Sequence, residues 1–318
     1  MKAQMLGIPV SVSHKWLNPP VIMGVLALLV SRTFVSAGTL DPIVHIVSGG
    51  GSVKIVKCYP EGKMRASCQS FDDGTLGAEW PVLDALRKRG LTATFFMNSR
   101  HLQSQDAVKY PRRYAGFEVA SHGASHKGFA GMPEGQVRDE IETDQKILGD
   151  AFGQVIDGFA YPYGNVPKEA ADLVKLENQL RALGLIYARW TGGAKDYAPP
   201  ADFMRWKPNC GFLAPVEEFL AAPAEETVCV RMSFTHSIGF ARGQISFDAW
   251  EKILDRLAAE TAIWNVSMRD YARYVMALRA LEKTEAGLRN NAAIAVWVRV
   301  KGRAIAVPAN STLAWSAL

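Results

Sequence analysis

The sequence predicts an α/β protein whose main domain is a closed or nearly closed barrel of parallel strands, each followed by a helix. Strand-like and helix-like segments alternate over residues 63–285, and strands that alternate with helices pair in parallel. Seven or so such units favour a barrel over an open nucleotide-binding sheet, since no Gly-x-Gly-x-x-Gly follows the first strand. The 318 residues, 48% hydrophobic and 21% charged, suffice for this core and exclude a wholly disordered chain.

The spacing of apolar residues places the individual elements. We expect strands at residues 64–71, 92–97, 117–120, 155–161, 185–190, 228–235 and 262–266. We expect helices at residues 80–89, 134–152, 168–183, 247–260 and 267–281, with serines at the starts of the last two. Residues 197–223 contain five prolines and are expected to form a long functional loop.

Both ends of the chain lie outside the predicted barrel. Residues 38–62 form an N-terminal extension, and residues 286–318 form a C-terminal extension. In the latter, Ile294, Val296, Val298 and Val300 alternate with other residues, and a second strand returns after a turn. This pattern predicts a small C-terminal β-appendage.

Residues 1–37 have the features of a secretory signal. Lys2 and Lys15 supply a positive n-region, residues 20–30 are apolar, and a small-residue cleavage site ends at Ala37. We therefore expect a secreted or periplasmic protein, with an uncleaved membrane anchor as the alternative. Removing this leader lowers the formal charge from +5 to +2, so we predict no nucleic-acid partner.

Four cysteines, Cys58, Cys68, Cys210 and Cys229, follow the leader. In an oxidising compartment they permit up to two disulfides in three possible pairings. Buried free thiols are equally compatible with a core of this size. No Cys-x-x-Cys spacing occurs, which argues against a cysteine metal site.

Two adjacent carboxylates, Asp72 and Asp73, follow the first barrel strand. Barrel active sites are built at the carboxyl ends of strands, and a turn beginning at Gly74 can bring both groups to the same mouth. Two close anions repel each other, so a nearby cation would be needed to keep both ionised. A surface Asp-Asp-Gly turn is the alternative interpretation.

Two histidines, His122 and His126, follow the third strand at a spacing of four. At this spacing we expect the imidazoles to meet on one face of a helical turn, as in two-histidine zinc sites. With Asp73 they would leave coordination positions open for water and substrate, which is typical of a catalytic metal. A polar loop with incidental histidines is the alternative.

Two later strand ends direct polar groups toward the same predicted rim. Pro162 and Gly164 interrupt the chain around Tyr163 and present its backbone N–H, and His236 ends a later strand. A lone histidine is more often structural, but its place beside the metal candidates favours a functional role.

These motifs occur in the order found in polysaccharide deacetylases, and the chain resembles that family (carbohydrate esterase family four, the NodB-homology group). The motifs are Ser-Phe-Asp-Asp-Gly (70–74), Ala-Thr-Phe-Phe (93–96), Ser-His-Gly-Ala-Ser-His (121–126), Ala-Tyr-Pro-Tyr-Gly (160–164) and Phe-Thr-His (234–236). The resemblance covers about residues 63–281. It implies a distorted (β/α) barrel of seven or eight units that hydrolyses N-acetyl or O-acetyl groups of a polysaccharide or oligosaccharide.

The resemblance also implies a role for each motif residue. It assigns a divalent metal, zinc in the first place with cobalt, nickel or manganese as alternatives, to Asp73, His122 and His126. It makes Asp72 the general base that deprotonates metal-bound water, and His236 the general acid for the leaving amine. The N–H of Tyr163 would stabilise the oxyanion.

The chain departs from the family pattern at Ala160, where the family usually has an arginine that orients the base. We predict that Arg189, Arg205 or Arg231 lies within salt-bridge reach of Asp72 instead. The family's Asp-aromatic motif, which supports the acid histidine, could be residues 196–197 or 202–203; neither is favoured.

Candidate substrate-binding residues are Tyr161, Pro162, Arg205 and Trp206. The aromatic residues of the 197–223 loop could stack on sugar rings, or could pack the loop against the barrel. Two other functions remain as alternatives: a non-catalytic carbohydrate-binding barrel, suggested by Ala160, and an amidohydrolase acting on a small amide. A membrane partner is expected only if the leader stays uncleaved.

Overall fold

The structure, a computed structural model, describes residues 40–46, 51–102, 110–193 and 196–318. The predicted leader, residues 1–37, lies outside these residues. The described strands are β1 (Ile43–Ile46), β2 (Ser52–Cys58), β3 (Arg65–Asp72), β4 (Thr94–Met97), β5 (Glu118–Ser121), β6 (Gly158–Ala160), β7 (Tyr187–Arg189), β8 (Cys229–His236), β9 (Ile263–Asn265), β10 (Glu282–Lys283), β11 (Gly287–Asn290), β12 (Val296–Val300), β13 (Arg303–Val307) and β14 (Ser311–Ala314). The described helices are α1 (Leu76–Lys88), α2 (Tyr110–Arg113), α3 (Glu134–Phe152), α4 (Ala170–Ala182), α5 (Val216–Leu220), α6 (Ile238–Ala241), α7 (Phe247–Ala259) and α8 (Met268–Arg279).

The centre of the fold is a parallel sheet, which within the described ranges has seven strands. Its order is β7-β6-β5-β4-β3-β8, and β9 pairs with β3. Each barrel strand expected from the sequence is present, with ends that differ by at most a few residues. The predicted α/β class is confirmed. Because the strands run parallel, their carboxyl ends lie along one rim of the sheet.

The barrel is distorted because an irregular segment, rather than another strand, lies between the edge strands β7 and β8. Trp206 donates its N–H to the Ala188 carbonyl at 3.1 Å and accepts the Trp190 N–H at 2.9 Å. Three residues later, Asn209 donates its N–H to the Met232 carbonyl of β8 at 3.0 Å. The predicted functional loop therefore completes the wall of the barrel on this side.

The long helices form where the sequence places them. Helix α3 has the predicted bounds, and its apolar residues Val137, Ile141 and Leu148 are buried against the sheet side of the core. Ser246 and Ser267 cap α7 and α8, and each accepts the N–H of the residue three positions later, at 3.1 and 3.2 Å. Among the residues that the structure describes, no helix is both long and apolar enough to cross a membrane.

Segments that precede and follow the parallel sheet in the sequence pair with each other in a second sheet, of order β1-β2-β12-β13. In this antiparallel sheet Ile55 of β2 lies opposite Val300 of β12. Val296, Val298 and Val300 are buried as predicted, whereas Ile294 is 39% exposed, because β12 begins only after it. The β-appendage thus contains N-terminal strands that the sequence pattern did not indicate.

The four cysteines are all free thiols in the structure. Cys58, Cys68 and Cys229 are buried, and Cys210 is partly buried. Burial raises the pKa of the Cys58 thiol to about 12, so this group stays protonated at neutral pH.

Replacing Ile55 with alanine tests the contribution of the joint terminal sheet to stability. Ile55 is fully buried, so Ile55→Ala should lower the free energy of unfolding by roughly 2–5 kcal/mol, measured by chemical denaturation. Ile46, on neighbouring β1, is 72% exposed, and Ile46→Ala should change it by less than about 0.5 kcal/mol. Equal effects of the two variants on the free energy of unfolding would contradict the packing of β2 in this sheet.

Candidate active site

The carboxyl ends of five strands bring the sequence-predicted residues to one rim. Asp72 ends β3, Arg189 ends β7 and His236 ends β8. His122 directly follows β5, and Tyr163 lies in a short 3₁₀ helix after β6. Asp72 and His236 are directly opposite each other in the ladder between β3 and β8. The strand ends therefore collect groups that are far apart in the sequence.

Asp73, His122 and His126 lie close enough to hold one metal ion, since one donor atom from each lies within 4.8 Å of the others. Oδ1 of Asp73 is 3.6 Å from Nε2 of His122 and 3.2 Å from Nε2 of His126. This Oδ1 is buried and has no hydrogen-bond donor within the described chain. An orphaned carboxylate oxygen facing two imidazole nitrogens fits a divalent cation.

A hydrogen bond fixes the orientation of His122. The backbone carbonyl of Ala160 accepts a hydrogen bond from Nδ1 of His122 at 2.8 Å, which directs the lone pair of Nε2 toward Asp73. Burial lowers the pKa of His122 to about 4. Its imidazole is therefore neutral at pH 7, as a metal ligand must be.

Burial raises the pKa of Asp73, but the close imidazoles of His126, His236 and His122 outweigh that effect. The net result lowers the pKa of Asp73 to about 2. This carboxyl is therefore ionised at neutral pH and presents two acceptor oxygens. Asp73 and His122 thus have the protonation states that metal binding requires.

The spacing of the two histidines predicted a helical turn, and this prediction is wrong. His126 donates its backbone N–H to the Gly123 carbonyl at 3.1 Å, which closes a tight turn between the two rings. His126, Asp73 and Tyr163 all have positive φ angles, of 56°, 78° and 60°. Non-glycine residues in this region cost roughly 1–3 kcal/mol each and concentrate at functional sites. The backbone is thus held in an unfavourable conformation at three site residues.

The prediction that an arginine replaces the one missing at Ala160 is confirmed. The fully buried Arg189 donates from Nη2 to Oδ2 of Asp72, and Nη1 donates to the Trp190 carbonyl at 3.0 Å. The guanidinium carbon lies 4.2 Å from the ring centroid of Phe234. Oδ1 of Asp72 is buried without a donor in the described chain, so one oxygen is held and the other is free to accept a proton.

The other two arginines bind elsewhere. Nε of Arg205 donates to Oε1 of Glu177 at 2.6 Å. Nη2 of Arg231 donates to the Ala214 carbonyl at 3.1 Å. Neither guanidinium reaches the base, so Arg189 alone of the three candidates fills this role.

His236 and Tyr163 are the most accessible members of the site. Nε2 of His236 is 3.8 Å from Oδ2 of Asp73, and the side chain is 46% exposed. Tyr163 is 73% exposed, and its hydroxyl is 3.1 Å from Nδ1 of His126. The backbone N–H of Tyr163 has no protein acceptor among the described residues. A substrate arriving from solvent can therefore reach both groups.

The predicted substrate role of Trp206 disagrees with its position. Its ring is only 1% exposed and packs against the rings of Tyr187, Phe203 and Tyr271, so it has no free face for a sugar. The hydrogen bonds that hold Trp206 in the barrel wall explain this burial. Arg205, adjacent to it, forms a salt bridge with Glu177 at 2.6 Å.

Tyr161 and Pro162 are also buried, which excludes direct stacking of their side chains on a substrate. The ring of Tyr161 contacts Phe159 and Trp190 inside the protein. The exposed neighbour in this motif is Tyr163. Proximity in the sequence did not distinguish the residue at the surface from those below it.

Neither candidate for the Asp-aromatic motif supports His236 in the described chain. Asp202 accepts two hydrogen bonds from Nη2 of Arg181, at 2.8 and 2.9 Å. Asp196 and Tyr197 line a separate cavity with Cys229, which begins β8 at the end of the strand away from His236. Within the described ranges, His236 thus has neither of these two carboxylates as a partner.

Two acidic residues that the sequence analysis did not single out hold the histidine turn. Asp144 of α3 accepts the Ser121 hydroxyl at 2.7 Å and the His122 N–H at 3.2 Å. One helical turn earlier, Glu140 accepts the Ser125 N–H at 2.7 Å. Burial raises the pKa of Asp144 to about 6. The sequence did contain a signal for these two residues, because acids spaced four apart on the buried side of an amphipathic helix are unusual.

A third buried acid, Glu79 of α1, lies behind the β8 side of the site. It accepts hydrogen bonds from the Tyr114 hydroxyl and, at 3.3 Å, from the Ser237 hydroxyl. Burial raises the pKa of Glu79 to about 7. This carboxyl therefore titrates in the physiological range.

Residues 60–181 match the family model described as polysaccharide deacetylase. This region belongs to the polysaccharide deacetylase family. The matched residues include both carboxylates, the histidine pair and Tyr163, whereas Arg189 and His236 follow the match.

Relatives with assigned activities are similar over part of the chain. The peptidoglycan-N-acetylglucosamine deacetylase PgdA of Listeria monocytogenes is 28% identical over 148 residues, which are 46% of this chain and 30% of that protein. A chitooligosaccharide deacetylase of Bradyrhizobium is 28% identical over 133 residues, 41% of this chain and 58% of that protein. The similarity thus spans less than two thirds of either relative.

A crystal structure of a Mycobacterium smegmatis protein assigned to the polysaccharide deacetylases has the same fold. It superposes with a TM-score of 0.51 at 16% identity, over 71% of this chain and 95% of that one. At this identity the likeness concerns the fold, and it agrees with the distorted barrel derived above.

Replacing Asp144 with asparagine tests whether α3 sets metal affinity. An amide would place an N–H₂ against groups that already donate, so the turn that carries His122 should shift and Co²⁺ affinity should fall about 10–100-fold. Calorimetric titration measures this change. Asp150, exposed on the same helix, is the control, and Asp150→Asn should leave affinity unchanged. Unaltered Co²⁺ affinity in Asp144→Asn would contradict the role.

Replacing Glu79 with glutamine tests the raised pKa of this carboxyl. In the unfolded chain its pKa is about 4.5, below the folded value of about 7, so the folded state binds the proton more tightly. The wild type should therefore lose unfolding free energy as the pH rises from about 4.5 to 7, and Glu79→Gln should lack this loss. Urea denaturation of both proteins at pH 5 and pH 8 measures this loss. An equal change of unfolding free energy with pH in the wild type and in Glu79→Gln would refute the raised pKa of Glu79.

Proposed function

We propose that this chain is an exported, metal-dependent deacetylase that hydrolyses N-acetyl groups of a polysaccharide or oligosaccharide. One observation carries the proposal: an oriented carboxylate, a three-donor metal set and an accessible histidine meet at the same strand-end rim. Amide hydrolysis needs a base, an electrophilic aid and an acid, and this rim offers a group for each.

Asp72 is the base in this proposal. Arg189 holds Oδ2, which leaves Oδ1 as the acceptor for a proton from attacking water. Because the guanidinium is buried and also bound to the Trp190 carbonyl, the carboxylate has little freedom to rotate. A base held in one orientation abstracts a proton more effectively than a mobile one.

His236 is the acid, and Tyr163 supplies an oxyanion donor. An amine leaves only after protonation, and a partly exposed imidazole at the rim can deliver that proton. The N–H of Tyr163, which has no acceptor in the described chain, can donate to the oxygen that gains negative charge. The positive φ of Tyr163 belongs to the turn that orients this N–H.

Asp73, His122 and His126 would hold the metal ion. Two imidazoles and a carboxylate suit zinc, and cobalt, nickel or manganese also bind such sets. When bound, the ion would supply Lewis acidity that makes a carbonyl more electrophilic and water more acidic. The two histidines contribute donors in fixed positions, since the Ala160 carbonyl and the α3 acids hold His122 and the turn that leads to His126.

The substrate proposal rests on the open rim and on the relatives. Tyr163 and His236 are accessible, so an acetyl group on a long chain can approach without entering a closed cavity. The two relatives described above are named for peptidoglycan and chitooligosaccharide deacetylation. Export is proposed from residues 1–37. The binding-only alternative was suggested by Ala160, and the contact between Arg189 and Asp72 removes that reason for it.

Acetate release from a panel of acetylated glycans tests the proposal. Purified protein should release acetate from at least one glycan, a chelator should abolish release, and Asp72→Asn should lower kcat at least about 100-fold, as loss of a general base does. The exposed Asp150→Asn variant is the matched control and should retain full activity.

Chelator-insensitive release, or full activity of Asp72→Asn, would overturn this mechanism. Binding of glycans without any acetate release would favour the non-catalytic alternative. Turnover of small amides alone would favour the amidohydrolase.

A further inference from the structure

The strand end that carries His236 is tied to a buried carboxylate of α1. Ser237 follows His236 directly, is fully buried, and starts α6. Its hydroxyl donates to Oε1 of Glu79 at 3.3 Å, and the other carboxylate oxygen accepts the Tyr114 hydroxyl. Glu79 is itself fully buried. Ser237, the residue next to His236, is therefore held in place by a buried hydrogen bond.

The imidazole of His236 has few contacts of its own in the described chain. Its Nε2 is 3.8 Å from Oδ2 of Asp73, and its ring centroid is 6.4 Å from that of Phe234. Nearly half of the side chain is exposed. With so few side-chain contacts, the ring position is determined mainly by the backbone at the end of β8.

We propose that Glu79 is a positioning residue for His236, acting through the Ser237 hydroxyl. The inference rests on the proposed function, in which His236 protonates the leaving group. The carboxylate holds the first residue after β8 against α1 and so fixes the Cα of His236 relative to the rim. Shifts of about 1 Å in a reacting group can reduce rates by about 100-fold, so this hydrogen bond affects catalysis without touching substrate.

Two substrates with different leaving groups separate positioning of an acid from a general structural role. An N-acetyl sugar releases an amine that must be protonated, whereas p-nitrophenyl acetate releases a stable phenolate that needs no acid. Ser237→Ala should lower kcat for the N-acetyl substrate about tenfold with KM unchanged, and change kcat for the ester less than twofold. In a His236→Ala background, Ser237→Ala should cause no further loss.

Two sets of variants serve as controls. Tyr114→Phe removes the other hydroxyl bound to the same carboxylate, so it should not alter the ratio of amide to ester turnover. Glu79→Leu should reproduce the Ser237→Ala selectivity, and Glu79→Gln, which can still bond to both hydroxyls, should restore the wild-type ratio.

A histidine spectrum gives a readout that does not depend on turnover. In ¹³C-histidine-labelled protein, the ring signal of His236, identified by its loss in His236→Gln, should shift in Ser237→Ala and Glu79→Leu and return in Glu79→Gln. The signals of His122 and His126 should stay in place.

The two readouts distinguish failure of this proposal from failure of the proposed function. An immobile His236 signal, or equal loss of amide and ester turnover in Ser237→Ala, overturns the positioning role. If the wild type releases no acetate but the His236 signal shifts in the variants as expected, the proposed function is overturned. The positioning of His236 by Glu79 through Ser237 is then still supported.

Discussion

Two carboxylates, Asp72 and Asp73, lie next to each other at the end of β3, and the site depends on the groups that offset their mutual repulsion. Adjacent anions in a partly buried place repel, so each needs its own positive or donor partner. Arg189 approaches the first from β7, and the imidazoles of His122 and His126 face the second. The parallel sheet supplies these partners because its strand ends share a rim.

Arg189 reaches Asp72 from the strand next to the one that Ala160 ends. Ala160 ends β6 and Arg189 ends β7, and the two residues are paired across the ladder. A neighbouring strand end thus provides an equivalent route to Asp72. The carbonyl of Ala160 meanwhile holds His122, a role that any residue at this position can perform through its backbone.

Strand-end chemistry was predictable from the sequence because it depends on local signals. Apolar runs mark the strands, and the polar residues just beyond them face the rim; this rule placed Asp73, His122 and His236 together. The departure at Ala160 led to three candidate arginines for Asp72, and the structure shows that Arg189 is the one in contact. Trp206 was misjudged, because its burial depends on hydrogen bonds with Ala188 and Trp190, which lie far from it in the sequence, and no local pattern reveals such bonds. The tight turn at His126 was missed for a related reason, since a positive φ in a non-glycine residue has no sequence signature.

The pairing of β2 with β12 has a consequence for how the chain is made. During synthesis β2 emerges first, and its partner β12 emerges only after all seven strands of the parallel sheet. Until then, one edge of β2 presents unpaired N–H and C=O groups, which are a template for association with other nascent chains. Chains that terminate before residue 296 would retain this edge permanently, so synthesis of β12 protects β2 from aggregation.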